Sequence, residues 1–269
     1  MKSEQEYKQE IVEVGRRLYE RGLIVAGDGN ISIRVKDGIL TTPRSVCKGF
    51  LSLEMIVKMS PDGTTKLDGT YNASTELPMH MLIYQMRPDV NAVVHAHPPC
   101  GTGYAAAGFA LDKALISEVI LTLGCVPLAG YGTPSTNEIT DAMKPFIARH
   151  DALLMANHGA VAYGSTLESA YGRMETLEHF ARISLVAKLL GRERELGKEE
   201  VDKLIDLRER AGYMSSDKRC QACSFLSDER KPPTQEKHTD EFEELITLTR
   251  SELIELVKRA SQLAQEGLS

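Results

Sequence analysis

Asn91-Ala92-Val93-Val94-His95-Ala96-His97 decides how the rest of the chain is read. Residues 91–94 are too apolar and β-branched for a turn, and they predict a short buried strand. On a strand, residues i and i+2 point the same way, so His95 and His97 leave one face together. Two adjacent imidazoles are costly as bare buried groups and natural as metal ligands. A second apolar run, Asp151-Ala152-Leu153-Leu154-Met155-Ala156, leads into Asn157-His158-Gly159. Each histidine therefore stands where a buried strand surfaces, at the lip of a sheet that a substrate can reach. Three imidazoles leave one position of a tetrahedral Zn²⁺ open, the arrangement of a catalytic site. A His-x-His is weak evidence alone in a chain with seven histidines; two strand ends together favour a catalytic metal.

Working outward, 269 residues suit one domain with an appendage better than two full domains. Against 38 acidic side chains stand 32 basic ones, a balance that argues against nucleic acid or an anionic membrane as partner. Met1-Lys2-Ser3-Glu4-Gln5-Glu6 has no apolar segment of the secretory kind, and no run approaches the roughly 18 apolar residues of a membrane span. With five cysteines, an odd number, the expected compartment is a reducing cytoplasm. Cys220 and Cys223 form a single Cys-x-x-Cys, read as incidental because a structural zinc site would want a second pair.

Residues 4–21 carry helical spacing, stopped by Gly22 and Ala26-Gly27-Asp28-Gly29-Asn30. Ile31-Ser32-Ile33-Arg34-Val35 alternates as a half-buried strand, turned by Asp37-Gly38 into Ile39-Leu40-Thr41-Thr42. Asp62-Gly63 joins a second pair of segments, 56–59 and 64–67. Ser74-Thr75-Glu76-Leu77-Pro78 opens a helix to about Met86, with caps and an acid in its first turn. Strands are expected around 117–121 and 126–130, then a helix from Thr136 to about Arg149 and the longest helix from Thr166. Several hairpins among helices predict a mostly antiparallel sheet with flanking helices. Residues 192–212 are charged and read as helical. Residues 227–240 have linker chemistry, and Thr249-Arg250-Ser251-Glu252 is a capping box before an apolar stripe from Leu253 to Ala264. The expected organisation is a domain over 1–226, a linker over 227–240 and an amphipathic helical tail over 241–269.

With these motifs placed, the chain resembles the class II aldolase/adducin family, most closely its zinc-dependent L-fuculose-1-phosphate aldolases. The likeness runs over about residues 5–192 and rests on Gly29-Asn30-Ile31-Ser32-Ile33-Arg34, Thr42-Pro43, Ser74-Thr75-Glu76, Arg87-Pro88-Asp89, Val93-Val94-His95-Ala96-His97-Pro98, Asn157-His158-Gly159 and the helix carrying Glu168 to Glu178. The resemblance implies a three-layer α/β/α fold, a homotetramer and a site between subunits. It implies that His95, His97 and His158 hold Zn²⁺, with Glu76 a fourth ligand that yields to substrate and then moves the proton. Gly29, Asn30, Ser74 and Thr75 would bind the substrate phosphate. Read alone, Ser74-Thr75 is an ordinary helix cap and Gly29-Asn30 an ordinary turn; the histidines favour the binding role.

Two positions depart from the pattern. The family usually follows Thr-Pro with a small pair, where this chain has Arg44-Ser45; Arg44 suits a phosphate or a carboxylate. The fuculose aldolases carry a tyrosine proton donor where this chain reads Ile116-Ser117-Glu118-Val119, with Glu118 the nearest candidate. The expected activity is reversible cleavage of L-fuculose or L-rhamnulose 1-phosphate to dihydroxyacetone phosphate and L-lactaldehyde. Such cleavage leaves an enediolate, whose charge a Lewis-acidic Zn²⁺ would neutralise while a carboxylate with raised pKa shuttles the proton. Decarboxylation of a sugar acid or aromatic acid, and a non-enzymatic adducin-like scaffold, are the competing readings. The tail resembles the encapsulation peptides of bacterial microcompartments, which implies a shell protein as partner and a location in the cytoplasm or inside such a compartment.

Overall fold

The computed structural model describes residues 2–212. Its strands are β1 (Asn30–Val35), β2 (Gly38–Thr41), β3 (Val57–Met59), β4 (Lys66–Asp68), β5 (Ala92–Ala96), β6 (Leu128–Ala129), β7 (Ala152–Met155) and β8 (Gly159–Gly164). They form one sheet in the order β4-β3-β2-β1-β5-β8-β7-β6. Every pairing is antiparallel except β6 with β7. The helices are α1 (Glu4–Glu20), α2 (Leu77–Met86), α3 (Pro99–Ala106), α4 (Ser117–Thr122), α5 (Asn137–Ile147), α6 (Leu167–Leu189) and α7 (Lys198–Arg210). The Cys220/Cys223 pair, the linker over 227–240 and the capped helix of 241–269 lie outside the described residues.

Period-two alternation sorts the sheet between two apolar layers. Ala92, Val94 and Ala96 of β5, with Ala152, Leu154, Ala160 and Ala162, join α1, α3 and α6. Val93, with Leu153, Met155, Val161 and Tyr163, joins α2 and α5 instead. Helices on both faces make the three-layer α/β/α sandwich, so the central strands are covered on each side, while the edge strand β4 stays exposed. β1 departs from its half-buried expectation for this reason. Asn30 and Ser32, the polar members of its alternation, are 2% and 0% exposed because they face α2 rather than water.

The strand expected over 117–121 is a helix, α4. Its β-branched residues favour a strand, but Val119, Ile120 and Leu123 are buried while Glu118 and Thr122 stay exposed. That spacing is helical, so packing overrides propensity here. The helix expected from Ser74 begins at Leu77 with Pro78 in its first turn, and Glu76 occupies the cap position without a side-chain cap bond. Its carboxylate has other partners. Elsewhere the predicted boundaries hold closely: Ser3 and Thr166 close capping boxes on α1 and α6, and Thr136 caps α5.

Candidate metal centre

Two chain segments deliver the three imidazoles to one point. β5 carries His95 in its last turn of pleat and releases His97 just beyond its end. The loop of the β7–β8 hairpin supplies His158, between the paired residues Met155 and Gly159. Asn157 holds that loop with a φ of +55°, a conformation asparagine tolerates. Gly159 is where the hairpin presses on the strand end: a Cβ there would stand 2.6 Å from His97 Cδ2 and 2.7 Å from the Ala96 carbonyl oxygen. Gly29 is constrained likewise, with φ +67° and the His95 carbonyl 2.7 Å from any added Cβ.

The ring centroids of His95, His97 and His158 lie 4.9, 4.9 and 5.2 Å apart, and one nitrogen from each falls within 4.8 Å of the others. His95 Nδ1 donates to the Ala160 carbonyl at 2.8 Å, which leaves the Nε2 lone pair facing inward. His97 Nε2 meets His95 Nε2 at 3.1 Å, while its Nδ1 lies 3.3 Å from Asp28 Oδ2. Two imidazole nitrogens sharing one tetrahedral cation lie about 3.3 Å apart, given ligand bonds of roughly 2.05 Å. Burial pulls His95 below the ordinary histidine range, and it does the same to His97 against the attraction of Asp28. Neutral rings with converging lone pairs are what a divalent cation needs, and the donor set fits one.

Glu76 closes the group from α2. Its Oε1 is 3.0 Å from His158 Nε2 and its Oε2 is 3.4 Å from His95 Nε2. Asn30 Nδ2 donates to Oε2 at 2.7 Å. Burial pushes this carboxyl up, yet the neighbouring His95 and His158 and the Asn30 bond outweigh it and hold Glu76 below the usual range. The carboxyl raised towards neutrality that proton shuttling suggested is therefore not what the protein groups alone produce. The buried charge that survives at neutral pH is the carboxylate, with His95 held neutral beside it.

The expected phosphate residues gather at one rim. A bridge pairs Pro43 with Ala73, and Arg44 N donates to the Asn72 carbonyl at 3.0 Å, so segments 43–45 and 72–75 lie side by side. The Gly27–Asn30 turn abuts them, since a Cβ on Gly27 would sit 3.6 Å from Ser45 Cα. Arg44, Ser45 and Thr75 are exposed, and Ser45 has a φ of +58°. Ser74 Oγ accepts from Glu76 N at 3.2 Å. Asn30's amide is spent on Glu76 and His80, so a ligand at that turn would meet its backbone. Glu118 is not brought to this group. It stands exposed on α4, and no hydrogen bond or ion pair joins it to the histidines among the described residues.

Sequence reasoning missed three residues here. Asp28 fixes the His97 ring, and a carboxylate inside the glycine turn was the available signal. His80 sits one helical turn after Glu76 and reaches Asn30. Lys48 is 2% exposed beneath the Gly27–Asn30 turn, its Nζ donating to the Gly27 carbonyl at 2.6 Å; burial lowers its pKa against the pull of Asp28. Nothing in Cys47-Lys48-Gly49 marks that lysine as buried.

Residues 9–185 match the family described as Class II Aldolase and Adducin N-terminal domain. A 3-oxo-tetronate 4-phosphate decarboxylase of Escherichia coli is 31% identical over 191 residues, 69% of this chain and 89% of that protein. A 5-deoxy-D-ribulose 1-phosphate aldolase of Bacillus thuringiensis is 31% identical over 203 residues, 74% of this chain and 94% of its own length. A solved structure of an L-fuculose 1-phosphate aldolase superposes with a TM-score of 0.71 at 29% identity, covering 77% of this chain and 97% of that one. Fold, histidine geometry and these likenesses agree, and the chain belongs to the class II aldolase and adducin N-terminal domain family.

Proposed function

We propose that this chain, a metal-dependent aldehyde-lyase by family, cleaves a deoxyketose 1-phosphate reversibly into dihydroxyacetone phosphate and a short aldehyde. L-Fuculose 1-phosphate and L-rhamnulose 1-phosphate, yielding L-lactaldehyde, are the leading substrates. The reading is carried by the convergence of three imidazoles at the end of β5, two of them against the Glu76 carboxylate. His95, His97 and His158 would hold the ion, which we take to be Zn²⁺, with Glu76 as a fourth, displaceable ligand. When bound, the ion supplies a Lewis acid that polarises the substrate carbonyl and neutralises developing negative charge.

The chain's own groups divide the remaining work. Asn30 anchors Glu76 Oε2; once substrate displaces it from the ion, the carboxylate would take a proton from the three-carbon fragment in condensation and return that proton in cleavage. Backbone N–H groups of Gly29 and Asn30, with Ser74, Thr75, Ser45 and Arg44 on the adjoining rim, bind the phosphate. The proposed assembly is a homotetramer with the site between subunits. The exposure of Arg44, Ser45 and Thr75 supports it, as does the exposed place of Glu118 with no hydrogen bond or ion pair to its own chain's histidines among the described residues: in such an assembly Glu118 would be the proton donor of a neighbouring site. Light scattering should then give a mass near four chains. The domain over 1–226, the linker over 227–240 and the tail over 241–269 as an encapsulation peptide for a shell protein rest on sequence alone.

A second reading, decarboxylation of a phosphorylated sugar acid, is favoured by the relative named 3-oxo-tetronate 4-phosphate decarboxylase and by Arg44, exposed at the rim where it could meet a carboxylate. The deciding assay offers the zinc-loaded protein L-fuculose, L-rhamnulose and 5-deoxy-D-ribulose 1-phosphates, and separately 3-oxo-tetronate 4-phosphate. Dihydroxyacetone phosphate released from a deoxyketose 1-phosphate in a chelator-sensitive manner, and lost in His95→Ala, is the expected result. Carbon dioxide from the last substrate with no cleavage of the first three would replace the aldolase by the decarboxylase. Protein that holds no metal would leave the adducin-like scaffold.

A further inference from the structure

Behind the metal centre, Asn30 and three side chains with no assigned role line the contact between β1 and α2. Asn30 and Ser32, two residues apart on β1, face α2, where His80 and Tyr84, one turn apart, face back. Asn30 Oδ1 lies 2.5 Å from His80 Nε2, His80 Nδ1 lies 2.7 Å from Ser32 Oγ, and Ser32 Oγ lies 2.8 Å from Tyr84 Oη. Asn30, Ser32, His80 and Tyr84 are all buried, so water does not compete for these bonds.

The protons of this chain are assigned by elimination, starting from Glu76. An ionised carboxylate only accepts, so the Asn30 amide must turn Nδ2 to Glu76 and Oδ1 to His80. A carbonyl oxygen only accepts, so His80 carries its proton on Nε2. Nδ1 is then bare and must accept from the Ser32 hydroxyl. With that proton spent, the Tyr84 hydroxyl must donate to Ser32 Oγ; its alternative acceptor, the Asn91 carbonyl, is more distant at 3.5 Å. A doubly protonated ring would break the order, and burial opposes it, drawing His80 down to about 4.

We propose that His80, oriented by Ser32 and Tyr84, is a positioning residue that, together with the Glu76 carboxylate, holds the Asn30 amide in one orientation and so keeps that carboxylate aimed at His95 and His158. The proposal rests on the reading of Glu76 as a member of the metal centre. The opposite amide flip would set Oδ1 against the carboxylate and the amide N–H groups against the His80 N–H, breaking both bonds at once. His80 thereby acts on the centre without touching it.

The test uses the full chain and two measurements. In the metal-free protein, histidine side-chain ¹⁵N spectra at pH 7 should show His80, assigned by the signals that His80→Gln removes, as the Nε2–H tautomer. Ser32→Ala, which deletes the donor to Nδ1 and alters the least volume, should move it towards a mixture. An Nδ1–H tautomer or an imidazolium overturns the proposal, whatever the enzyme's substrate proves to be. The second measurement is the visible absorption of the Co²⁺-loaded protein, with Glu76→Gln as reference. His80→Leu should shift the band towards that reference, and His80→Gln, which keeps a donor where Nε2 stood, should restore the wild-type band. Bands that do not differ between His80→Leu and His80→Gln overturn the positioning role. A Glu76→Gln band identical to wild type overturns instead the placement of Glu76 at the metal, and the tautomer still judges the ordering of Asn30.

Discussion

Arg87, at the entry to β5, spends all five of its N–H groups. Nε and Nη2 take the two oxygens of Asp89 at 2.8 Å each, Nη2 also meets Asp151 Oδ1 at 2.8 Å, and Nη1 donates to the Ile147 and His150 carbonyls at 3.2 and 3.0 Å. Arg173 covers the other Asp151 oxygen at 3.0 Å. At the exit of the same strand, His95 and His97 bring their Nε2 atoms to 3.1 Å, His158 Nε2 faces the Glu76 carboxylate, and His158 Nδ1 is buried without a hydrogen-bond partner among the described residues. Both ends bury ionisable groups. One is closed, every Arg87 donor matched to an acceptor, and the other is open, with valence left for something else. Perturbed titration is common to structural and functional clusters, so unspent valence is the better sign of function.

The comparison can be broken from either side. His95→Ala should abolish metal binding and turnover while leaving the cooperative unfolding transition in place, as metal analysis and a denaturant melt would report. Arg87→Met should do the reverse. Removing one member of a closed buried network leaves Asp151 short of a partner and costs about 3–5 kcal/mol of stability, with metal per folded chain unchanged. Loss of metal from Arg87→Met under conditions where it remains folded would show the two ends to be one system.

Acid sharpens the contrast through His80. Burial lowers it to about 4 in the folded chain from about 6.5 when unfolded. Between those values the unfolded chain binds the extra proton, so stability falls as pH drops from about 6.5 to about 4 and levels off below. The contribution is at most about 3 kcal/mol. In His80→Gln that part of the decline should vanish, so the wild-type and variant stability curves should converge as pH falls through this window. Curves that stay parallel there would mean that the His80 ring is not held neutral.

The sequence disclosed the open end more readily than the closed one, and the reason is geometric. His95 and His97 are two apart on a strand, and strand periodicity alone puts them side by side. His158 needed only a turn between two apolar runs. Arg87 and Asp89 were visible as a motif, but their closure depends on Asp151 and on the Ile147 and His150 carbonyls, which only the folded sheet brings near. The same holds for Asp28, His80 and Lys48: each meets its partner through contacts between elements that no local pattern encodes. His80 was the nearest to legible, four residues after Glu76 and hence on the same helical face. α4 was misread because six residues give too few periods for helical spacing to outweigh Val119 and Ile120.

The smallest expected effect tests how the open end is held. Asp28 is 39% exposed at its side chain and lies 3.3 Å from His97 Nδ1, on the far side of the ring from the other histidines. A carboxylate there fixes the ring's tautomer, with Nδ1 protonated and Nε2 bare, and raises its strength as a ligand. Asp28→Asn preserves the shape but removes the charge, and an amide can turn either end to the ring. Metal affinity, measured by competition with a chromophoric chelator, should weaken about 10-fold, the lower part of the range for such partners because solvent reaches this one. Asp89→Asn supplies the matched control: it removes a carboxylate charge from the closed end, so it should lower stability while leaving metal affinity unaltered. Equal affinities in both variants would mean that the His97 ring is held by the backbone of the strand end alone. The open cluster would then owe its order to β5 and the β7–β8 hairpin rather than to the glycine turn beside it.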